Sequence, residues 1–187
     1  MPTAGQNWES AMDDMKVVEV LGLYLHADSG SAIVLLGDSV EGDRVLPIFI
    51  GPAEAQAIAL GLANRPMQRP GTHDLLISAL AAADARIASV GVVALDGGIF
   101  LGELEVVVGD DVTRVDARPS DAIALAVRAG VTVFVAAGVF DEAAVTVVHA
   151  AGEPFEAEEI EEIMSKFQEF LESTEPADFE APPPDET

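Results

Sequence analysis

The sequence predicts an α+β fold: one domain of two β-β-β-α units, with mixed or antiparallel sheets flanked by helices. An acidic amphipathic helix is added at the C-terminal end. Three observations predict this. First, a proline-started helix signature occurs twice, as GPAEAQAIAL over 51–60 and RPSDAIALAV over 118–127. Both fit Pro-x-acid-Ala-x-Ala, with Pro52, Glu54, Ala55 and Ala57 in one and Pro119, Asp121, Ala122 and Ala124 in the other. Second, each signature follows three β-rich stretches, and the two lie 67 residues apart. Third, half of the 187 residues are hydrophobic, enough for one substantial core but not two full domains. Proline at the first helical position gives up no useful N–H, and an acid in the first turn suits the positive end of the helix dipole.

The elements follow in order. Residues 1–15 are polar and acidic and read as a disordered leader, so the domain spans 16–152 and an acidic helix with a disordered tail takes 153–187. Residues 17–26 are β-branched and apolar, a strand. Asp28-Ser29-Gly30 turns the chain, 31–36 returns, Glu41-Gly42-Asp43 turns again, and 44–50 is a third strand. Pro47 places that strand at a sheet edge or a bulge. A helix runs from Pro52 to about Ala63. After the proline loop 64–71, Thr72 is a natural N-cap for a second helix over 72–85, with Leu75, Leu76, Ala79, Leu80 and Ala83 at helical spacing. The second unit has strands at 85–95, 99–108 and 112–117, joined by the tight turn Asp96-Gly97-Gly98 and by Gly109-Asp110-Asp111. Its helix spans 119–129 and stops at Gly130. Strands are expected at 131–135 and 144–148. In 156–173, Ile160, Ile163, Phe167, Phe170 and Leu171 share one face of an acidic helix that docks on the domain or on a partner.

Charge and composition exclude several classes. The net charge is −24, and residues 153–187 hold 13 acids against Lys166 alone. Nothing resembles the basic stripe that grips duplex DNA through its phosphates, so any nucleic-acid role rests on a local site. The absence of cysteine excludes disulfides and thiolate chemistry and fits a reducing, cytoplasmic setting. The N-terminus lacks the basic and apolar segments of a signal peptide. Residues 122–140 are apolar apart from Arg128 and Thr132, but Gly130 divides them into helix and strand, so no membrane span is expected. Zinc-ligand spacing, glycine-rich phosphate loops and a Ser-His-Asp signature are missing, and no organic cofactor is expected.

The segments RVLPIFIGPAEAQAIA, RPGTHDLL and RPSDAIALAVR, in that order and spacing, resemble the bifunctional nuclease domain family, long catalogued as a bacterial and plant domain of unknown function. The resemblance covers residues 17–141. It implies an α+β fold, homo-oligomers from dimers upward, and nuclease activity on RNA and DNA. The C-terminal helical module of some members is replaced here by the acidic helix and tail. The matching motif residues with chemical potential are Glu54 and Gln56, then Arg69, Thr72, His73 and Asp74, then Arg118, Ser120 and Asp121.

Phosphodiester hydrolysis needs an activated water, neutralised phosphate charge and a proton for the leaving group. Glu54, His73, Asp74 and Asp121 are the candidate catalytic residues. Glu54 and Asp121 would hold Mg²⁺ or Mn²⁺, and Arg69, Arg118 and Ser120 would bind the substrate. This reading requires the three motifs to meet in space. Structural readings stand beside it. Glu54, Asp121 and Asp74 each suit a helix dipole, Ser120 and Thr72 suit helix starts, and Arg118 suits an ion pair with Asp121. His26 and His149 have no motif around them and read as structural. Two functions therefore compete. One is a metal-assisted nuclease acting on RNA or single-stranded DNA. The other is a non-catalytic oligomeric scaffold that binds a protein partner through Ile160, Ile163, Phe167 and Phe170. A largely apolar domain surface predicts a homo-oligomer under either.

Overall fold

The computed structural model of the chain describes residues 14–25, 32–38, 43–64, 67–147 and 155–173. Strands β1 (Met15–Leu25), β2 (Ala32–Asp38) and β3 (Arg44–Ile50) form an antiparallel meander, followed by helices α1 (Pro52–Leu62) and α2 (Thr72–Ala82). Strands β4 (Ala85–Asp96), β5 (Ile99–Val108) and β6 (Asp111–Ala117) form a second meander, followed by helix α3 (Pro119–Ala129). Then come β7 (Thr132–Ala136), α4 (Ala137–Ala143), β8 (Val145–Thr146) and α5 (Ala157–Ser173). The architecture is mixed α/β, with one eight-stranded sheet ordered β6-β5-β4-β7-β1-β2-β3-β8. Strand β7 joins the meanders, parallel to β4 and antiparallel to β1. No helix among the described residues is long and apolar enough to cross a membrane.

Alternation decides which face each residue serves. On β2, Ala32, Val34 and Leu36 join the core under α1 and α3, while Ile33 and Leu35 face the other way and pack with Ile163 and Met164 of α5. All seven β2 residues are buried as a result. Helix α3 is apolar nearly all round and lies in the middle, with Ala122 to Ala126 fully covered and α1 and α2 both packed on it.

The sheet curls. Five strand spacings separate β5 from β3, or about 24 Å in a flat sheet. Yet Phe100 of β5 and Phe49 of β3 lie 6.0 and 5.5 Å, ring centre to ring centre, from the same Phe167 of α5. That side chain bridges β5 and β3, the strands next to the two edges of the sheet.

Local signals account for the elements that matter. Gly97 and Gly98 have φ of 53° and 79°, the paired positive values of a two-residue hairpin turn. Gly102 lets β5 approach the chain where β6 becomes α3: a Cβ there would lie 2.7 Å from the Ala117 carbonyl oxygen and 2.9 Å from the Pro119 nitrogen. Strand β8 pairs only with Arg44 and Val45, so Pro47 sits where β3 has no further neighbour among the described strands.

Some expectations need correction. Several sheets were expected, and the described strands form one. The N-cap of α2 is Gly71, not Thr72, because Gly71 is already extended after Pro70 and its N–H donates to the Asp74 carboxylate at 2.9 Å. Helix α2 ends at Ala82 and buries none of its residues completely. Helix α4 was not foreseen. It holds Phe140, wholly buried, with the Lys16 ammonium 5.4 Å and the Arg44 guanidinium 5.2 Å from its ring centre. Residues 1–13, His26, His149 and the stretch after 173 lie outside the described residues.

Candidate functional site

Helices α1 and α3 begin alike. Gly51 and Arg118 are the N-caps, both extended, Pro52 and Pro119 follow, and Glu54 and Asp121 occupy the third position of the first turn. Packing of α1 on α3 brings these starts together. Arg118 then bridges the acids: its Nη1 donates to Glu54 Oε1 at 2.9 Å, and its Nε to Asp121 Oδ2 at 2.7 Å. The other Asp121 oxygen lies 3.3 Å from His73 Nε2, on the first turn of α2. Glu54, Arg118, Asp121 and His73 thus form one continuous chain of contacts drawn from all three motifs.

The four side chains differ in exposure. His73 is 17 % exposed, Glu54 20 %, Asp121 34 % and Arg118 65 %. Burial pushes the Asp121 carboxyl up, but hydrogen bonds from Arg118 and His73 and their charges hold it below the usual carboxylate range. The hydrogen bond to Asp121, the Asp121 charge and the hydrogen bond to Glu54 raise Arg118 above the ordinary guanidinium value, so it stays charged. The geometry offers an anchored cation with an open side, next to an imidazole oriented by a carboxylate.

Other expected residues are placed elsewhere. Asp74 turns away from the cluster: Oδ1 accepts from Arg128 Nε at 3.1 Å and Oδ2 from the Gly71 N–H. Arg69 is exposed and makes no hydrogen bond or ion pair among the described residues. Gln56 is exposed on α1 and faces a separate hollow beside Tyr24 and Leu25. Ser120 is buried and borders a cavity shared with Glu54 and Arg118.

Glu54 and Asp121 are held by a guanidinium and are not arranged around a divalent cation. Mg²⁺ keeps several waters and can be held by one or two carboxylates together with substrate phosphate. Among the described residues no three His, Asp or Glu side chains converge as a metal site, and the guanidinium already lies between Glu54 and Asp121. The expected Mg²⁺ or Mn²⁺ at these two acids would first have to displace Arg118.

Sequence reasoning missed Arg128, which is only 10 % exposed and also donates to the Ala124 carbonyl at 2.9 Å. By holding Asp74 it fixes the start of α2, and with it His73. The signal was its place at the end of RPSDAIALAVR. Phe100, Phe167 and Leu171, which line the cavity beside Arg118, were missed as site residues because their convergence depends on the curl of the sheet.

The family model of the bifunctional nuclease domain matches residues 34–148. Two uncharacterized proteins of Mycobacterium tuberculosis, from strains CDC 1551 / Oshkosh and ATCC 25618 / H37Rv, are each 36 % identical to this chain over 167 residues. That span covers 89 % of this chain and 99 % of each relative.

Proposed function

Because this chain belongs to the bifunctional nuclease domain family, we propose that it hydrolyses phosphodiester bonds of RNA or DNA at the Glu54–Arg118–Asp121–His73 cluster. The observation that carries this reading is the convergence of three motifs, distant in sequence, into one chain of side chains that pairs an open cation with an oriented imidazole. Arg118 neutralises charge on the phosphate through the part of its guanidinium that faces solvent, and Glu54 and Asp121 hold its plane. His73, oriented by Asp121, takes a proton from the attacking water as the oxygen bonds to phosphorus. The P–O bond to the leaving oxygen breaks, that oxygen takes its proton from solvent water, and the His73 imidazolium returns its own proton to solvent.

The test is cleavage of labelled RNA, single-stranded DNA and duplex DNA by wild type, His73→Ala and Arg118→Ala, each with Mg²⁺, Mn²⁺ or EDTA. Loss of about 10²–10⁴-fold in rate in folded His73→Ala is expected. Equal rates in wild type and both variants would overturn the assignment. Cleavage abolished by EDTA would show that the reaction needs a metal and would overturn the metal-free step.

We also infer that the two β-β-β-α units are copies of one, which explains an acid at the same helical position in each. Self-association is supported by α2, where Leu75 and Leu76 are 61 % and 41 % exposed. Light scattering should find a dimer or larger, and Leu75→Glu should lower the mass. The scaffold reading draws less support, since Ile163 and Phe167 are buried in the chain's own core. A partner using them would have to lift α5 away.

A further inference from the structure

A cavity of about 410 Å³ opens directly beside the cluster. Glu54 and Arg118 stand on one side of it, and Phe49, Phe100, Phe167 and Leu171 supply apolar wall. Its size falls in the range of small-molecule sites. The rings are ordered. Phe100 and Phe167 are nearly parallel at 15°, 6.0 Å apart, and Phe167 and Phe170 follow at 22° and 5.8 Å. Phe100 is only half-buried. Two of the wall residues, Phe167 and Leu171, come from α5, which begins at Ala157, beyond the span matched by the family model.

We propose that α5 completes a subsite for one unpaired nucleobase, which stacks on the Phe100 side of the cavity while its phosphate meets Arg118. A nucleotide has a flat apolar end and an anionic end one sugar apart, and the cavity offers aromatic wall and a guanidinium side by side. Bases paired within a duplex cannot enter a concave pocket, so the site takes single strands. The net charge of −24 gives no long-range attraction to a strand, so binding depends on contacts at the local site. Stacking on an aromatic ring supplies such a contact for any base, and Arg118 supplies the local positive charge for the phosphate. With one phosphate engaged, log K should fall against log salt with a slope of only about −0.7.

The inference rests on the phosphodiester reading for the reaction next door, but binding can be measured apart from cleavage. The probes are fluorescein-labelled oligouridylate, oligothymidylate and a mixed-sequence duplex, titrated by anisotropy into the full-length protein. The variants are Phe100→Leu, which keeps apolar volume and removes the ring, and Phe100→Trp, which restores a ring. Circular dichroism melting confirms that both fold. Single strands should bind at least about tenfold more tightly than duplex. Phe100→Leu should weaken them by about ten- to hundredfold and Phe100→Trp should not. Equal affinity for duplex, no binding by wild type, or full binding by folded Phe100→Leu would each overturn the subsite. Single-strand binding that depends on Phe100 with no cleavage would sink the hydrolytic reading and leave the subsite standing. Cleavage of single strands and duplex alike, unchanged in Phe100→Leu, would do the reverse.

Discussion

Helices α1 and α3 start with the same grammar and live in different surroundings. Both have proline first and an acid third. But α1 is capped by Gly51 and buries only Ala55 and Ile58, whereas α3 is capped by Arg118 and buries seven of its eleven residues. The shared part is local physics: proline and acid satisfy any helix N-terminus. The difference lies in what the cap contributes. Glycine leaves α1 with an acid and no partner of its own. Arginine gives α3 a cation with five N–H donors, of which one serves Asp121 and another reaches across to the acid of α1. One arginine serving two helix starts makes a single asymmetric cluster where a strict repeat would make two equal ones.

Burial should set the largest contrast. Ile123 of α3 and Ile58 of α1 are both fully covered. Yet Ile123 sits on a helix enclosed on all sides, where collapse around a void is hard. Ile123→Ala should cost about 4–5 kcal/mol and Ile58→Ala about 2–3 kcal/mol in urea unfolding, within the usual range for core truncation. Equal costs would mean that α3 is no more constrained than α1. Next in size is Arg128, which ties the last turn of α3 to the start of α2. Arg128→Met keeps the apolar stem and removes the charge. It should cost about 1–2 kcal/mol and speed hydrogen exchange at the first turn of α2 more than at α1. Uniform acceleration across all three helices would deny Arg128 that local role.

How much of this was legible follows from the range of each signal. The two helix starts, the Asp96–Ile99 hairpin and the Gly130 stop could be read because their causes lie within a few residues. The meeting of Glu54, His73, Arg118 and Asp121 was required by the chemistry and could not be read, since it depends on how α1 and α2 pack on α3. The place of β7 between two meanders, the single sheet and its curl are non-local, so the cavity between Phe49 and Phe100 left no mark in the sequence. Helix α4 is too short to show a helical period. Asp74 was a candidate catalytic residue next to His73 in the chain, but adjacent helical residues point apart, and Arg128 claims the carboxylate.

Asp121 should carry a smaller, pH-dependent effect. Its folded pKa is lowered, so the stabilisation is complete above the unfolded carboxylate value of about 4 and disappears as pH falls through the folded value below it. Asp121→Asn should therefore melt a few degrees below wild type at neutral pH, and the two should converge in acid below that range. A gap that persists unchanged in acid would show that the loss comes from something other than the carboxylate charge.

The finest probe of the comparison is Gly51→Ala, which gives α1 a cap with a side chain while leaving both acids in place. Gly51 has φ −75° and ψ 165°, extended backbone open to any residue, so the change adds no strain. An added Cβ would meet Glu54 Oε2, the end of a flexible side chain that can swing aside. Stability should then stay within about 1 kcal/mol of wild type. If Glu54 only complements the dipole of α1, the displaced carboxylate still does so and kcat/KM holds. If Glu54 steadies Arg118 for a phosphate, kcat/KM should fall about tenfold, which is about 1.4 kcal/mol, at a nearly unchanged Tm. A fall in Tm without a fall in rate would place Glu54 on the structural side of the comparison and leave Arg118 to act with Asp121 alone.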